Sequence, residues 1–568
     1  MQRSDYFSFC IGKNFKIPGI VKLTLLICLL LITGIDHDPW WKRGEAYSFG
    51  VIYNFYITHT WIIPMNAGVP FMEKPPLYYW TAVLCMKLFG GILPLHDAAR
   101  LASLPYLILT GFFIWKTAKT LFQDHDHCDT LSKITVYLLL GTYGYIRFSH
   151  VLITDTALVA GTAIALYGIA LQCKTPMRYL SAGCWLGIGL GIAFMSKGLV
   201  IPTIMGISGI ILWLTLTSLH NRYTWRALLI AGITISPFLL IWPYLVYTHS
   251  PELFHDWLWD NNIGRFFGSS VARLGAENRP GYFIWMAPLY AFPVFPLACV
   301  HIVRARKEWR TPEYLLPVSV SYIGLLVLLI SASGRAPYLL PLMPGFALLA
   351  AQAVMRFSDG CRIILNKILL TAFSVAAATT WLIWWTLHYP RAHRPLVWLS
   401  SMFKKLPPDF IPPASQGLAC LVALLAALFW ISCLRLEKHN PLNLARIWFL
   451  GALLMWCTIY TLLMPWINES MSYLPVLKRL DSFIQKSGYS TDCIGDIELG
   501  ENIAPLIQYY YEKTPWPRVT WENSRCPLIL AFMPREASED AYPQWKMVWK
   551  DSHLPSIKNM DLRLYKRN

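Results

Sequence analysis

Charge is what this sequence lacks. Only 14% of its 568 residues are Asp, Glu, Lys or Arg, whereas a soluble chain is roughly a quarter charged. That shortage excludes an ordinary soluble enzyme, a disordered chain and a coiled coil, each of which needs far more polar surface. Acidic residues are the scarcer sign: 49 Lys and Arg against 32 Asp and Glu give a net charge of +17. No small-residue cleavage site follows the first apolar run, Ile20 to Ile35, which therefore reads as a retained anchor. No internal repeat is visible. The 13 cysteines lie mostly inside apolar runs, as Cys28, Cys184, Cys420 and Cys457 do, so no disulfide framework follows.

What is present is apolar length. Residues of the apolar types make up 55% of the chain, and runs of about 20 residues, enough to cross a hydrocarbon core, recur to Trp466. The reading is a polytopic α-helical membrane protein of about thirteen spans over residues 1–466. Basic residues cluster in alternate connections: Lys116 with Lys119, Lys174 with Arg178, Arg222 with Arg226, Arg304 to Arg310, Arg356 with Arg362, and Arg435 to Arg446. Those loops are assigned to the cytoplasm, with the N-terminus. The alternation holds only if Pro75 to Gly91 lies along the outer surface, and it places the C-terminus outside. Residues 467–568 are polar and charged, with a helical run near Ile503 to Tyr511 and a strand-like run Pro527 to Phe532, and read as a small periplasmic α/β domain. Cys493 and Cys526 within it are equally compatible with a disulfide in an oxidising compartment and with two buried thiols.

Sorted by predicted side, the unusual polar residues face outward. The outer segment 36–97 holds Asp36, His37, Asp38, Trp40, Trp41, Glu45 and Glu73-Lys74-Pro75-Pro76, and later outer turns hold Asp155, Lys197, Arg265 and Arg335. Any one of these could be a snorkelling helix end. Their recurrence on one face suits a phosphate-bearing substrate that cations neutralise in a partly desolvated cleft. Most of the 25 tryptophans fit an ordinary aromatic belt at headgroup depth. Asp124-His125-Asp126-His127-Cys128-Asp129 looks like a metal cluster but reads as a solvated cytoplasmic turn. Asp36-His37-Asp38 is a compact second candidate on the outer face.

The stretch Gly44-Glu45-Ala46-Tyr47, Trp61-Ile62-Ile63-Pro64, Gly68 and Glu73-Lys74-Pro75-Pro76-Leu77-Tyr78-Tyr79-Trp80 resembles the membrane glycosyltransferases of the aminoarabinose transferase and protein mannosyltransferase superfamily. The resemblance continues through Ala99-Arg100-Leu101, Leu152-Ile153-Thr154-Asp155, Ser196-Lys197-Gly198, Gly264-Arg265-Phe266 and Arg335 to Pro344. It implies a GT-C glycosyltransferase fold and transfer of a sugar from an undecaprenyl-phosphate donor on the periplasmic side of a bacterial inner membrane. The implied acceptor is lipid A or another glycolipid. A protein O-glycosyltransferase of the same superfamily and a polytopic transporter are the alternatives; membrane lipids are implied partners and nucleic acid is not. Carried over by position, Lys74 and Asp155 are catalytic candidates, with Arg265 and Arg335 on phosphates. Glu73, Tyr79, Lys197 and Tyr338 join Asp38 as substrate-binding candidates.

Two positions depart from that pattern. The superfamily has an Asp-Glu pair thirty residues before the lysine, where this chain has Gly44-Glu45. Either Glu45 or Asp38 fills the gap as the catalytic carboxylate, or the acceptor is a phosphate that needs no base. A histidine expected three residues before the loop arginine is Asn262, which removes a nitrogen ligand from a metal site built on Glu73. No cofactor is certain; a divalent metal is possible, at Glu73 or at Asp36-His37-Asp38.

Overall fold

The computed structural model describes residues 33–35, 37, 43–388, 416–434, 436–437, 439–512, 516–538, 542–552, 554 and 559–568. The first apolar run and Asp38 lie largely or wholly outside them. Among the described residues, eight helices are long and apolar enough to span a membrane: Leu95–Leu121, Asp155–Lys174, Pro176–Lys197, Arg222–His249, Pro312–Ile330, Ala336–Met355, Asp359–His388 and Pro441–Leu462. A ninth would be the pair Tyr282–Tyr290 and Val294–Arg304, bent by 102°. The bend falls at Pro293, which has no N–H to continue a helical ladder. Three shorter apolar helices, Leu77–Phe89, Val200–Thr215 and Ala419–Ile431, complete the set. Leu77–Phe89 has 13 residues, about 20 Å of helix, too short to cross a core about 30 Å thick.

Helix crossings fix which helix ends meet. Asp155–Lys174 and Pro176–Lys197 are antiparallel neighbours joined at Thr175, so the start of the first lies beside the end of the second. Small residues let them touch backbone to backbone: a Cβ at Gly161 would stand 2.7 Å from the Ala193 nitrogen. Asp155 is thereby delivered to Lys197 across 42 residues of sequence. Asp155–Lys174 and Ala336–Met355 are almost wholly buried at the bundle centre, while Arg222–His249 is mostly exposed and faces the surroundings.

Outside the spans, helix Arg43–Thr58 runs into a two-stranded hairpin, β1 (Met65–Asn66) and β2 (Val69–Pro70), and then into the Glu73-Lys74-Pro75-Pro76 turn. The C-terminal domain has a four-stranded sheet of β3 (Ile494–Ile497), β4 (Leu528–Pro534), β5 (Trp545–Asp551) and β6 (Met560–Arg567), in the order β3-β4-β6-β5 with only β3 and β4 parallel. Helix Leu474–Lys486 buries Val476, Leu477, Leu480 and Ile484, a stripe at helical spacing. Cys493 and Cys526 form a disulfide, deciding between the two alternatives left open by the sequence. Helix Gly500–Tyr511 docks the domain on the outer segment: Asn66 Nδ2 donates to the Glu501 carbonyl at 2.8 Å, and the Tyr509 ring lies 4.8 Å from Phe49.

Candidate active site

Lys74 is the buried centre of the charged cluster at one end of the bundle. The turn before helix Leu77–Phe89 holds its backbone between Glu73 and two prolines, which restrict φ on both sides of the Pro75 bond. Its Nζ donates to the Tyr47 hydroxyl at 2.9 Å and stands 3.9 Å from Glu73. Burial works against the ammonium, but Tyr47, Glu73, Tyr79 and Asp155 outweigh it and raise Lys74 well above its ordinary pKa. The lysine is therefore a fixed positive charge.

Two further ion pairs surround it. Lys197 Nζ bonds Asp155 and lies over the Tyr338 ring, 4.1 Å from its centroid. Arg265 Nη1 donates to Glu73 Oε1 at 2.8 Å. Arg265 is aimed by the π-helical stretch Asp256–Gly264, a widened turn of a kind frequent at functional sites. Burial would raise Glu73, but Lys74, Arg265 and Arg335 hold it down at about 2. Arg335 is partly buried beside Tyr338, Tyr47, Glu73 and Glu501; among the described residues it pairs with no carboxylate. Glu73, Lys74, Lys197 and Arg265 line a cleft whose apolar walls include Leu158, Ile201, Ile204 and Val327. A cationic end on an apolar slot fits an amphiphile with an anionic head.

The structure thus brings together Glu73, Lys74, Tyr79, Asp155, Lys197, Arg265, Arg335 and Tyr338. It does not bring Glu45 to them. Glu45 Oε1 accepts from Arg100 Nε at 2.8 Å and Oε2 lies 3.4 Å from His37 Nε2, all three buried. Burial would raise the Glu45 carboxyl, yet Arg100 and His37 hold it at about 2. Arg100 also donates to Asp97 and to the Ile35 and His37 carbonyls, which makes this a structural knot tying the outer segment to helix Leu95–Leu121. Position 44 faces the other way: a Cβ at Gly44 would lie 3.8 Å from the Tyr47 hydroxyl, on the lysine side.

Asn262 occupies the position where a metal-binding histidine was sought, and its Nδ2 donates to the Trp257 carbonyl at 2.8 Å. Among the described residues no three His, Cys, Asp or Glu side chains are grouped to hold a metal ion. Asp124 and Asp129 are exposed and pair with Lys174 and Lys119, as a solvated turn would. Two residues at the site were not singled out from the sequence. Tyr47 sits one helical turn from position 44, a spacing that could have flagged it. Glu501 comes from the C-terminal domain; burial and Glu73 raise its pKa against Arg335, Lys74 and Arg265. No local pattern announces it.

Residues 73–242 match the model of a family described as dolichyl-phosphate-mannose-protein mannosyltransferase. The fold is similar to crystal structures of ArnT from Cupriavidus metallidurans. For the form bound to undecaprenyl phosphate the TM-score is 0.65 at 16% identity, covering 96% of this chain and 97% of that one; for the apo form it is 0.64 at 14%. The resemblance to the aminoarabinose transferase and protein mannosyltransferase superfamily is borne out. The chain has the GT-C fold, in a multi-pass membrane protein with a small C-terminal sheet domain. Among curated proteins it is 24% identical over 345 residues to an undecaprenyl phosphate-alpha-4-amino-4-deoxy-L-arabinose arabinosyl transferase of Proteus mirabilis, and 23% identical over 375 residues to one of Yersinia enterocolitica. Those matches span 59% and 64% of this chain, and 59% and 63% of the relatives' length.

Proposed function

We propose that this GT-C protein is a glycosyltransferase that moves a sugar from a polyprenyl-phosphate donor to a phosphate group of lipid A or a related glycolipid, at the periplasmic face of a bacterial inner membrane. The observation that carries the reading is the cluster Lys74, Lys197 and Arg265 lining an apolar cleft, with Arg335 close by beside Glu73 and Tyr47. The polyprenyl chain would lie along Leu158, Ile201, Ile204 and Val327, with its phosphate among the cations. An acceptor phosphate oxygen attacks the anomeric carbon, the bond from that carbon to the donor phosphate oxygen breaks, and its electron pair leaves with polyprenyl phosphate. Lys74, Arg265 and Arg335 meet the charge that develops on the leaving group, and preorganised cations in a water-poor site are effective at this. An anionic acceptor needs positioning more than deprotonation, which fits a glycine at position 44 and a Glu45 committed to Arg100.

A transporter is disfavoured because the charged groups gather at one end of the bundle instead of at its midplane between repeated halves. The test is transfer by purified protein from undecaprenyl-phosphate aminoarabinose to lipid A, read by mass spectrometry, alongside lipid A from cells with and without the gene. A sugar-sized mass gain on lipid A that depends on the protein is expected. Unchanged lipid A with sugar appearing on protein would replace the acceptor; no transfer to anything would sink the enzyme reading.

A further inference from the structure

The end of the bundle remote from this cluster holds a second polar cavity. Helix Ala336–Met355 has 20 residues and runs from Tyr338, at the cluster, to Met355; that is about 30 Å, the thickness of the hydrocarbon core. Met355 lines a pocket of about 430 Å³, together with His127, Thr130, Asp359, Arg362, His439 and Asn440. A helix of that length reaches from one headgroup layer to the other, so the pocket belongs with the loops that the sequence marks as basic.

Its chemistry is that of an anion site. Three helices start at it: Cys128–Leu140 after His127, Asp359–His388, and Pro441–Leu462 after Asn440, whose Oδ1 accepts from the Leu442 N–H at 2.9 Å. Each brings the positive end of its dipole. Arg362 adds a guanidinium. Its Nη1 donates to Asp359 Oδ1 at 2.8 Å and to the His439 carbonyl at 3.2 Å, and its Nη2 to the Met355 carbonyl at 2.9 Å. Those bonds hold the guanidinium at the junction of the three helices, with Nε buried and without an acceptor among the described residues. Asp359, the one carboxylate in the lining, offsets part of that charge, and at the rim Glu437 stands 3.9 Å from His439 Nε2, leaving the helix starts and the remaining Arg362 N–H as the net attraction for an anion. A metal is the poorer fit for His127, Asp359 and His439, since among the described residues they form no group that could hold an ion. His127 belongs to the His-Asp-rich turn that the reaction leaves unused.

We propose that this pocket binds a phosphate anion, carried by an anionic phospholipid headgroup or free in solution, with Arg362, His127 and His439 as its ligands and the three helix starts as its field. Basic pockets between membrane helices take lipid headgroups in this way.

The experiment uses full-length protein in dodecyl maltoside and reads its thermal midpoint against added dioleoyl phosphatidylglycerol, dioleoylglycerol (same chains, no phosphate) or inorganic phosphate. Phosphatidylglycerol is expected to raise the midpoint and dioleoylglycerol to leave it unchanged, and the double variant H127Q/H439Q should need roughly fivefold more phosphatidylglycerol for the same shift. An equal rise with inorganic phosphate supports the same anion chemistry with a free ion as its source. Arg362→Gln is the sharper variant; should it fail to fold, the histidine pair still decides, because both side chains stand at the exposed rim. Equal responses to the two lipids with none to inorganic phosphate, or an undiminished phosphatidylglycerol response in the variants, would overturn the proposal.

Discussion

Lys74 Nζ and the Tyr47 hydroxyl are 2.9 Å apart, closer than the lysine is to its neighbouring carboxylate Glu73 at 3.9 Å. The buried ammonium is thus steadied by a neutral phenol, while Glu73 is drawn off by Arg265. A cation held this way keeps much of its charge for an incoming phosphate, which a close carboxylate partner would have neutralised.

Lys74→Ala should therefore lower transfer by roughly two to three orders of magnitude, the usual cost of removing one preorganised stabiliser, with insertion and yield retained. Tyr47→Phe, which keeps the lysine and loses only its steadying hydroxyl, should cost about tenfold or less by the loss of one hydrogen bond. Turnover of both variants in detergent checks this; a fully active Lys74→Ala would remove the phosphate role.

Glu45→Gln is expected to harm stability more than turnover. It leaves Arg100 buried with one carboxylate fewer, and breaking a buried pair from one side costs about 3 kcal/mol. The pH dependence has a definite sign. Glu45 is held at about 2 against an ordinary 4.5, so its contribution is complete above about pH 5 and fades as the pH falls through 2. The stability gap between parent and Glu45→Gln should be flat from pH 5 to 8 and shrink below pH 4 in thermal melts. A gap that instead appears only in turnover, with melts unchanged, would return Glu45 to the catalytic list.

The C-terminal disulfide closes a separation of 33 residues, worth about 4 kcal/mol to that domain by loop-closure entropy. Reductant should lower the domain's resistance to proteolysis in the parent and leave a Cys493→Ser/Cys526→Ser variant unaffected, already at the lower level. A parent insensitive to reductant would mean that the two cysteines are free in solution.

The convergence of Lys74, Asp155, Lys197, Arg265 and Arg335 was legible because basic-loop alternation sorts every other polar residue to one side, and a single side of a bundle is a small area. The facing of Glu45 was not. Helix Arg43–Thr58 is buried nearly all round, with Phe49, Val51, Ile52 and Phe55 fully enclosed, so no polar stripe tells which way it points. Adjacent helical residues diverge by about 100°, and that rotation alone puts position 44 on Lys74 and position 45 on Arg100. Glu501 was invisible for a different reason: it reaches the site only through the docking of a separate domain on the β1–β2 hairpin.

Gly44→Asp tests the acceptor chemistry directly. Among the described residues a Cβ there meets only the Tyr47 hydroxyl, at an ordinary 3.8 Å, so the variant should fold. Its carboxylate would point at the Tyr47–Lys74 pair. If a phosphate acceptor and a departing phosphate both depend on that lysine, the added negative charge competes with them, and transfer should fall by roughly tenfold with a raised KM for the donor. If the reaction instead needs a base that this chain supplies poorly, the same substitution should raise kcat by tenfold or more, within the usual range for a positioned acid–base group. The two accounts move the rate in opposite directions. A gain in kcat would show that the acceptor is a hydroxyl needing deprotonation, and would move the proposal from a phosphate to a sugar or protein hydroxyl.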